Sequence, residues 1–411
     1  MPEFDSGDTA WVLASSALVL FMTPGLALFY GGMVRAKNIL AMLMQNFFAM
    51  GIVTVLWAAF GYTLAFGGFG NEGWLGNFDF LGLKDTATTT TGTIPTLAFV
   101  AFQLTFAIIT PALITGAIAD RMRFAGWVGF IILWSILVYL PVAHWVFAGG
   151  WLAARGALDF AGGTVVHINA GAGALALILV LGKRRGWPKE PMHPHSLPLT
   201  LLGTGILWFG WFGFNAGSAL AANMVAAQAF MNTFVAAAAA MLTWLIAERL
   251  KTGHATTLGG ASGAVAGLVA ITPCAGFVGG LSPIAIGGIA GVVCYLAIGL
   301  KFRFAYDDSL DVVAVHLVGG IIGSVLLGLF ADAAVNEAGK DGLFAGGGAG
   351  LLGEQILAVV VVGVFSFAVS MVIALVLKNV LPGGIRASQE DEETGLDLTQ
   401  HSETGYALER V

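Results

Sequence analysis

Charged residues are scarce in this sequence. Asp, Glu, Lys and Arg make up only 10% of the 411 residues, whereas they make up about a quarter of a soluble domain. Hydrophobic residues reach 57%, and the mean hydropathy is +0.86. This balance excludes an ordinary soluble protein and predicts an integral membrane protein whose main partner is the lipid bilayer. No nucleic-acid partner is expected.

Cysteine is scarcer still. The only two cysteines, Cys274 and Cys294, lie in apolar stretches without a pairing pattern, so they are interpreted as small buried hydrophobic residues and indicate neither a disulfide framework nor a metal site. Residues 1–8 are acidic and contain no basic region, so we expect no cleavable signal peptide. No nucleophile–base constellation is apparent. The sequence therefore favours neither an enzyme nor a cofactor-binding protein.

Long apolar segments are abundant. Each is close to or above the roughly 20 residues that a membrane-spanning helix needs, and the 58 glycines allow such helices to approach closely. The sequence therefore predicts an all-α integral membrane protein with eleven transmembrane helices. The segments lie near 9–31, 39–66, 95–118, 125–148, 162–182, 196–219, 228–248, 257–276, 283–300, 312–331 and 352–378.

Lysine and arginine are distributed unevenly between the loops. If the N-terminus lies outside, all but three of the 18 basic residues fall on the cytoplasmic side, Arg410 in the C-terminal tail among them. The three exceptions are Lys84, Arg155 and Lys340. This asymmetry follows the positive-inside rule and predicts an N-out, C-in protein.

Two stretches of the chain echo each other. Asp159 precedes His167 by eight residues, and Asp308 precedes His316 by the same number, a rise of about 12 Å along a helix. These stretches belong to the fifth and tenth spans, which enter the membrane from opposite faces. The pattern predicts a 5+5 inverted repeat with the solute path between the halves. Two unrelated core histidines, each bonded to a backbone carbonyl, are the alternative.

The repeat defines the domain organisation. A transmembrane domain of residues 1–382 contains repeat A at about 9–182, repeat B at about 196–331 and an eleventh helix at about 352–378. Residues 383–411 form a polar cytoplasmic tail, which is too short to be a separate signalling or enzymatic domain.

Ionisable groups inside a membrane are costly and mark functional sites. Burial disfavours the charged form of the two histidines, and neutral imidazoles can share one proton, since each ring donates from one nitrogen and accepts at the other. Such a pair suits proton conduction or a small polar solute, and does not suit an anion. Metal ligation would need further ligands at helical spacing, which these spans lack. A haem would find no evident pocket among glycine and alanine.

Aromatic residues crowd two of the spans. Phe102 and Phe106 lie four residues apart and therefore on one helix face, and the segment Trp211 to Ser218 (WFGFNAGS) ends in a hydroxyl. An aromatic vestibule with a hydroxyl acceptor suits a small cation through cation–π attraction. The aromatic belt found at the ends of many membrane spans remains the alternative.

Together these motifs resemble the ammonium transporter family (Amt, Mep and Rh proteins), and in particular its bacterial Amt branch. The matching segments follow in order along essentially the whole chain: Pro24 to Arg35 (PGLALFYGGMVR), Asp159 to Gly171 (DFAGGTVVHINAG), Trp211 to Ser218, Asp311 to His316 (DVVAVH) and Glu393 to Glu403 (ETGLDLTQHSE). The resemblance implies a homotrimer in the inner (cytoplasmic) membrane, with one pore per subunit. It also implies ammonium or ammonia as substrate, with methylammonium as an analogue.

The resemblance further implies roles for individual residues. The outer recruitment site for ammonium would comprise Phe106, Phe147, Trp211 and Ser218, with Asp159 acting structurally and electrostatically beside it. The occluding phenylalanines would be Phe102 and Phe214, the twin histidines of the pore would be His167 and His316, and the supporting acidic residues would be Asp308 and Asp311.

The chain departs from the family pattern at two positions. Phe147 stands where many members have tryptophan, and phenylalanine is the weaker cation–π partner, so we expect a looser outer site. Ser402 stands where the tail motif usually has glycine, which bears on the conformation of the tail.

The tail itself resembles the segment through which such transporters respond to a PII-type signalling protein. The resemblance implies that its regulatory residues pack on cytoplasmic loops and couple subunits; a solvated acidic terminus is the alternative. These residues are Glu393, Asp397, His401 and Glu403.

The expected mechanism is that ammonium binds outside as a cation, loses its proton, and crosses as ammonia past the histidines, with the proton travelling separately in an electrogenic version. Two alternatives remain. One is an ammonium sensor, although the tail is too short for the output domain that sensors append. The other is a neutral gas channel of the Rh type, against which the outer cation site argues.

Overall fold

The computed structural model of the chain describes residues 3–406. Arg410, which the loop charges assign to the cytoplasm, lies outside the described residues. A helix occupies each of the eleven predicted segments. Their bounds are α1 Ser6–Met33, α2 Ala36–Phe66, α3 Thr96–Ile118, α4 Phe124–Arg155, α5 Gly163–Leu181, α6 Leu197–Gly217, α7 Met224–Thr252, α8 Thr257–Ile271, α9 Ser282–Arg303, α10 Val313–Phe330 and α11 Gly350–Val380.

Ten of these helices are long and apolar enough to cross a membrane. The exception is α8, which has 15 residues and ends at Ile271, where the sequence predicts helix to residue 276. Pro273 lies two residues further on, and its ring nitrogen has no N–H with which to continue the helical ladder. The eighth predicted span is therefore a shorter apolar helix.

The long connections carry little regular structure. Between α2 and α3 the chain forms two short 3₁₀ turns, Leu81–Leu83 and Thr86–Thr88, and a third, Leu343–Ala345, precedes α11. Strands β1 (Thr90–Thr91) and β2 (Ile94–Pro95) pair antiparallel. This small hairpin departs from the predicted all-α structure.

Helices α1 and α6, the first helices of the two predicted halves, lie in close contact. Glycine makes this approach possible. A Cβ on Gly203 of α6 would overlap the backbone of Phe29 in α1, and one on Gly210 would overlap the Met22 side chain. Small residues at such crossings are the main packing device between helices in lipid.

Helices α5 and α10 both begin with a π-helical turn. These turns span Gly163–Ile168 and Val313–Leu317, so each contains one of the two predicted pore histidines. A π turn inserts an extra residue into the helix and is frequent at functional sites. After each π turn the chain continues as a regular α-helix.

Arg121, Arg184 and Asp307 form a buried ion cluster that connects helix ends. The cluster lies on the side of the bundle that carries the basic loops, here called the basic face. The Asp307 carboxylate accepts hydrogen bonds from Arg184 at its backbone N (2.8 Å), Nε (2.9 Å) and Nη2 (2.8 Å). Arg121, which is fully buried, donates from Nε to the Gly182 carbonyl at 2.9 Å. Burial alone would raise the pKa of Asp307, but the hydrogen bonds from Arg184 and the charge of Arg121 hold that pKa below its ordinary value. The cluster therefore fastens α5 to the residues that precede α10.

Candidate functional site

On the face opposite the basic face, an open cavity of about 230 Å³, here called the outer vestibule, leads into the bundle. Aromatic side chains form much of its wall, and a few polar groups interrupt them. The lining residues are Phe69, Thr91, Phe99, Gln103, Phe106, Val146, Phe147, Asp159, Phe160, Ser218 and Leu220. Four of the five residues predicted for the outer site are therefore brought together here.

Asp159 is held in this wall by the start of α5. Its carboxylate accepts hydrogen bonds from the backbone N–H groups of Gly162 and Gly163, both at 2.7 Å, and of Thr164 at 2.8 Å, and from the Thr164 hydroxyl. Gly162 has a φ of 118°, a conformation that favours glycine and lets the chain fold back over the carboxylate. Burial raises the pKa of Asp159, and these hydrogen bonds oppose that rise. With both oxygens engaged, Asp159 is placed to act through its charge and as a helix cap.

Phe106, Phe147 and Ser218 all line the vestibule. The Phe106 and Phe147 rings meet edge to face, with centroids 6.3 Å apart and planes at 83°. The Ser218 hydroxyl donates to the Phe214 carbonyl at 2.8 Å, which leaves its oxygen lone pairs free to accept. The site thus offers aromatic faces and a hydroxyl acceptor to a small cation.

Phe106 and Phe214 close the inner end of the vestibule. Their ring centroids lie 4.4 Å apart, whereas Phe102 packs behind Phe106 at 4.9 Å, fully buried and outside the vestibule lining. Of the two phenylalanines on α3, Phe106 is thus the one that borders the vestibule and meets Phe214. Helical spacing alone places both on one face and cannot distinguish them.

Beyond these rings lies a second, narrow space of about 10 Å³, here called the inner cavity, which has room for about one water-sized molecule. Apart from two histidines, its wall is apolar or aromatic. The lining residues are Met22, Leu26, Phe29, Ile109, Leu113, Val166, His167, Leu207, Trp211, Phe214, Val265 and His316. Trp211 therefore lies at this deeper level, not in the vestibule.

His167 and His316 are in direct contact in the inner cavity. Their Nδ1 atoms are 3.3 Å apart, their ring planes differ by 24°, and their side chains are almost fully buried. One Nδ1 must donate and the other accept, so two neutral rings adopt opposite tautomers. Within residues 3–406, the Nε2 atom of His167 has no hydrogen-bond partner. The pair can therefore exchange tautomers and hydrogen-bond a small polar molecule.

Trp211 packs its indole along the His167 ring, with centroids 5.5 Å apart and planes at 23°. Its N–H is engaged elsewhere, because Nε1 donates to the Thr272 hydroxyl oxygen at 2.9 Å. The Thr272 hydroxyl in turn donates to the Leu268 carbonyl at 2.7 Å. Thr272 thus orients the wall of the inner cavity. Sequence reasoning missed it, because one threonine in an apolar stretch gives no signal of its partner.

Asp308 repeats the role of Asp159 at the start of α10. Its carboxylate accepts from the backbone N–H groups of Val312 at 3.1 Å and Val313 at 2.7 Å. Burial raises the pKa of Asp308, and the nearby Asp311 carboxylate raises it further. Asp311 pairs with Lys301 Nζ at 2.6 Å. Both histidine helices therefore begin at a carboxylate cap, partly buried at Asp159 and fully buried at Asp308.

The C-terminal tail lies against the basic face as two short helices, α12 (Gln389–Thr394) and α13 (Leu396–His401). The Asp397 carboxylate accepts from the backbone N–H groups of Leu40 at 3.0 Å and Ala41 at 2.8 Å, near the start of α2.

The other tail residues predicted to be regulatory make separate contacts. Glu393 pairs with Arg185 at 3.0 Å, and the His401 ring packs edge-on against Phe124 with centroids 5.2 Å apart. The Glu403 backbone N–H donates to the Asp397 carbonyl at 3.2 Å. Ser402 stands where the tail motif usually has glycine. Its φ of 56° is a conformation that glycine adopts more readily.

Comparison with known proteins places these features in a family. The model of the Ammonium Transporter Family matches residues 10–406. An ammonium transporter of Mycobacterium tuberculosis (strain ATCC 25618 / H37Rv) is 54% identical over 435 residues, covering 98% of this chain and 90% of that protein. An ammonium transporter of Bacillus subtilis (strain 168) is 49% identical over 404 residues, covering 97% of this chain and 98% of that protein.

Solved structures of Mep2 and Amt proteins have a similar fold. The crystal structure of Candida albicans Mep2 matches with a TM-score of 0.89 and 36% identity, covering 95% of this chain and 88% of that one. A structure described as a sensor Amt protein matches with a TM-score of 0.88 and 30% identity, covering 96% of this chain and 98% of that one.

Proposed function

Because the chain belongs to the ammonium transporter family, we propose that it recruits the ammonium ion in the outer vestibule and passes it inward as ammonia. Phe106, Phe147 and Ser218 bind the cation, and the charge of Asp159 favours it there. Proton loss occurs at or just below this level, and ammonia then crosses between His167 and His316. The observation that carries the proposal is the contact of two buried histidines directly beyond a closed pair of aromatic rings.

The size and lining of the inner cavity support transfer of the neutral form. A charge held in a narrow apolar space costs several kcal/mol, and a space of about 10 Å³ leaves no room for a hydration shell. Ammonia needs only a hydrogen-bond partner, which the imidazole nitrogens supply. Potassium would want a ring of carbonyl oxygens, and no such ring lines the cavity among the residues described.

The histidine pair also supplies a route for the proton in an electrogenic version of the mechanism. The 3.3 Å contact between the Nδ1 atoms lets one ring donate while the other accepts. A proton that enters at one ring can therefore leave from the other after a tautomer exchange, while ammonia passes as a separate species.

We propose an N-out, C-in arrangement of eleven spans with the 5+5 inverted repeat, in the inner membrane and as a homotrimer. The matched caps at Asp159 and Asp308, and the matched π turns that carry His167 and His316, support the repeat. The concentration of lysine and arginine on the basic face supports its cytoplasmic location. The proposed domains remain residues 1–382 and the tail 383–411.

We propose that the tail regulates transport, with a PII-type protein as its partner at the cytoplasmic face. Its contacts with the start of α2 through Asp397 and with the start of α4 through His401 support such a role. Displacement of the tail would remove these contacts from two helices at once.

A sensor function is the second candidate, because one similar structure is described as a sensor Amt protein. A sensor would bind ammonium without flux. A gas channel of the Rh type would conduct ammonia without current. Flux and current measured on the same proteoliposomes separate all three functions.

The test of the proposed function is ammonium-triggered current on solid-supported membranes. The wild type is compared with the double variant His167→Ala/His316→Ala, and with His254→Ala as a control at an exposed histidine outside both cavities. We expect current in the wild type and the control, and none in the double variant. Current that persists in the double variant would refute the histidine relay.

A further inference from the structure

Gln103 is a polar residue of the vestibule lining to which neither the sequence motifs nor the proposed mechanism gives a role. It lies on α3, three residues before Phe106, and the residue is 8% exposed. Within the described part of the chain, its Oε1 atom has no hydrogen-bond partner. A buried amide oxygen without a partner is costly and calls for an explanation.

Each of the other polar residues of the vestibule lining already makes at least one hydrogen bond. Asp159 accepts from the amides at the start of α5, and Thr91 Oγ1 lies 3.1 Å from Thr96 Oγ1. Ser218 uses its hydrogen on the Phe214 carbonyl. The hydroxyl oxygens of Ser218 and Thr91 keep lone pairs, but of the neutral side-chain acceptors in this lining Gln103 Oε1 is the one with no hydrogen bond at all within residues 3–406.

The chemistry of these acceptors suits ammonium. Aromatic faces attract the charge of a cation, but the N–H groups of ammonium also need oxygen acceptors. An amide oxygen supplies one without adding a charge, and rotation about the terminal torsion of glutamine exchanges its oxygen and nitrogen. A cation in the vestibule therefore selects the orientation in which Oε1 faces it.

We propose that Gln103 is a direct ligand of ammonium in the outer vestibule and a determinant of its affinity and selectivity there. The inference rests on the proposed function of the vestibule. Because Phe147 replaces the stronger cation–π partner, this chain depends more on oxygen ligands than a vestibule with tryptophan would. Methylammonium has one N–H fewer and a methyl group, so it gains less from Gln103.

The test replaces Gln103 by leucine, which has a similar size and no acceptor, and by glutamate, which keeps an oxygen and adds a charge. The matched control is Gln45→Leu. Gln45 is also a buried glutamine whose Oε1 has no partner in the described residues, but it lies outside the vestibule lining. A general effect of removing a buried amide would appear equally in both leucine variants.

The first measurement is the dependence of current on ammonium concentration in proteoliposomes. We expect Gln103→Leu to raise the half-saturating concentration about 10-fold, the effect of one hydrogen bond to a charged group, with the maximal current within about twofold of wild type. Gln103→Glu should lower the half-saturating concentration, and the preference for ammonium over methylammonium should fall in Gln103→Leu. A half-saturating concentration in Gln103→Leu equal to that of Gln45→Leu would overturn the proposal.

A second measurement keeps this inference separate from the proposed function. Ammonium chloride near the wild-type half-saturating concentration, compared with sodium chloride, should raise the thermal unfolding midpoint of the purified wild type and of Gln45→Leu, and should raise that of Gln103→Leu by clearly less. Absence of current in the wild type would refute transport, and this difference between the variants would still support Gln103 as a ligand. An equal shift in all three proteins would refute the ligand role whether or not the protein transports.

Discussion

The departure at position 147 gives the sharpest test of the outer site. Phe147 is half-buried, and its ring meets Phe106 at 6.3 Å in a vestibule of about 230 Å³. Replacing it by tryptophan adds a larger ring to a cavity that has space for it. We therefore expect Phe147→Trp to fold normally and to present a stronger aromatic face to the cation.

The size of the effect follows from the exposure of the site. Cation–π attraction is worth about 0.5–1 kcal/mol at exposed sites, and tryptophan is the best aromatic partner. A gain of this order corresponds to a half-saturating ammonium concentration about 2- to 5-fold lower. The maximal current should stay unchanged, because the inner cavity lies beyond the Phe106–Phe214 contact and is not altered.

The assay is the concentration dependence of ammonium-triggered current for Phe147→Trp, the wild type and Phe147→Leu. The leucine variant keeps an apolar side chain and removes the aromatic face, so its half-saturating concentration should rise by a similar factor. If the three proteins give the same half-saturating concentration, the cation does not contact this ring, and the assignment of Phe147 to the outer site is wrong.

Three further predictions concern stability. Asp159→Ala should lower the free energy of unfolding by about 2 kcal/mol or more, since one carboxylate caps several amides of α5. Thermal unfolding in detergent measures this loss, and Asp159→Asn should lose less stability than Asp159→Ala. Ser402→Gly should stabilise the docked tail by about 1 kcal/mol, because φ is 56° there, and should slow proteolysis of the tail; equal rates would contradict the strain argument. The pKa of Asp307 is lowered in the folded protein, so its stabilisation is present above the ordinary carboxyl pKa and lost only as the pH falls below that value. Wild type minus Asp307→Asn should thus give a constant difference in unfolding midpoint between pH 7 and 5, and a difference that shrinks across this range would refute the ion-pair assignment.

The helices and the main functional residues were predictable because their signals are local. Apolar length predicts spans, and the spacing from Asp159 to His167, repeated at Asp308 and His316, depends only on positions along one helix. The length of α8 was overestimated, because hydropathy continues past Ile271 although Pro273 interrupts the backbone ladder.

Contacts between helices were not predictable in the same way. The i, i+4 spacing places Phe102 and Phe106 on one face, but only the position of α6 decides that Phe106 meets Phe214. Gln103 stands inside the same motif, and its proposed role rests on an Oε1 atom that makes no hydrogen bond within residues 3–406, which no local pattern reveals. Thr272 is a partner of Trp211 across 61 residues of chain, a pairing that no local pattern encodes.

The contact between Phe106 and Phe214 has a consequence for the timing of transport. Passage along the proposed path requires these two rings, 4.4 Å apart at their centroids, to part and close again for every molecule. Aromatic rings in a packed interior move only when the neighbouring side chains are also displaced. Each passage therefore requires an infrequent fluctuation of the cavity wall. The flux should therefore increase with temperature more steeply than diffusion through an open water-filled pore does.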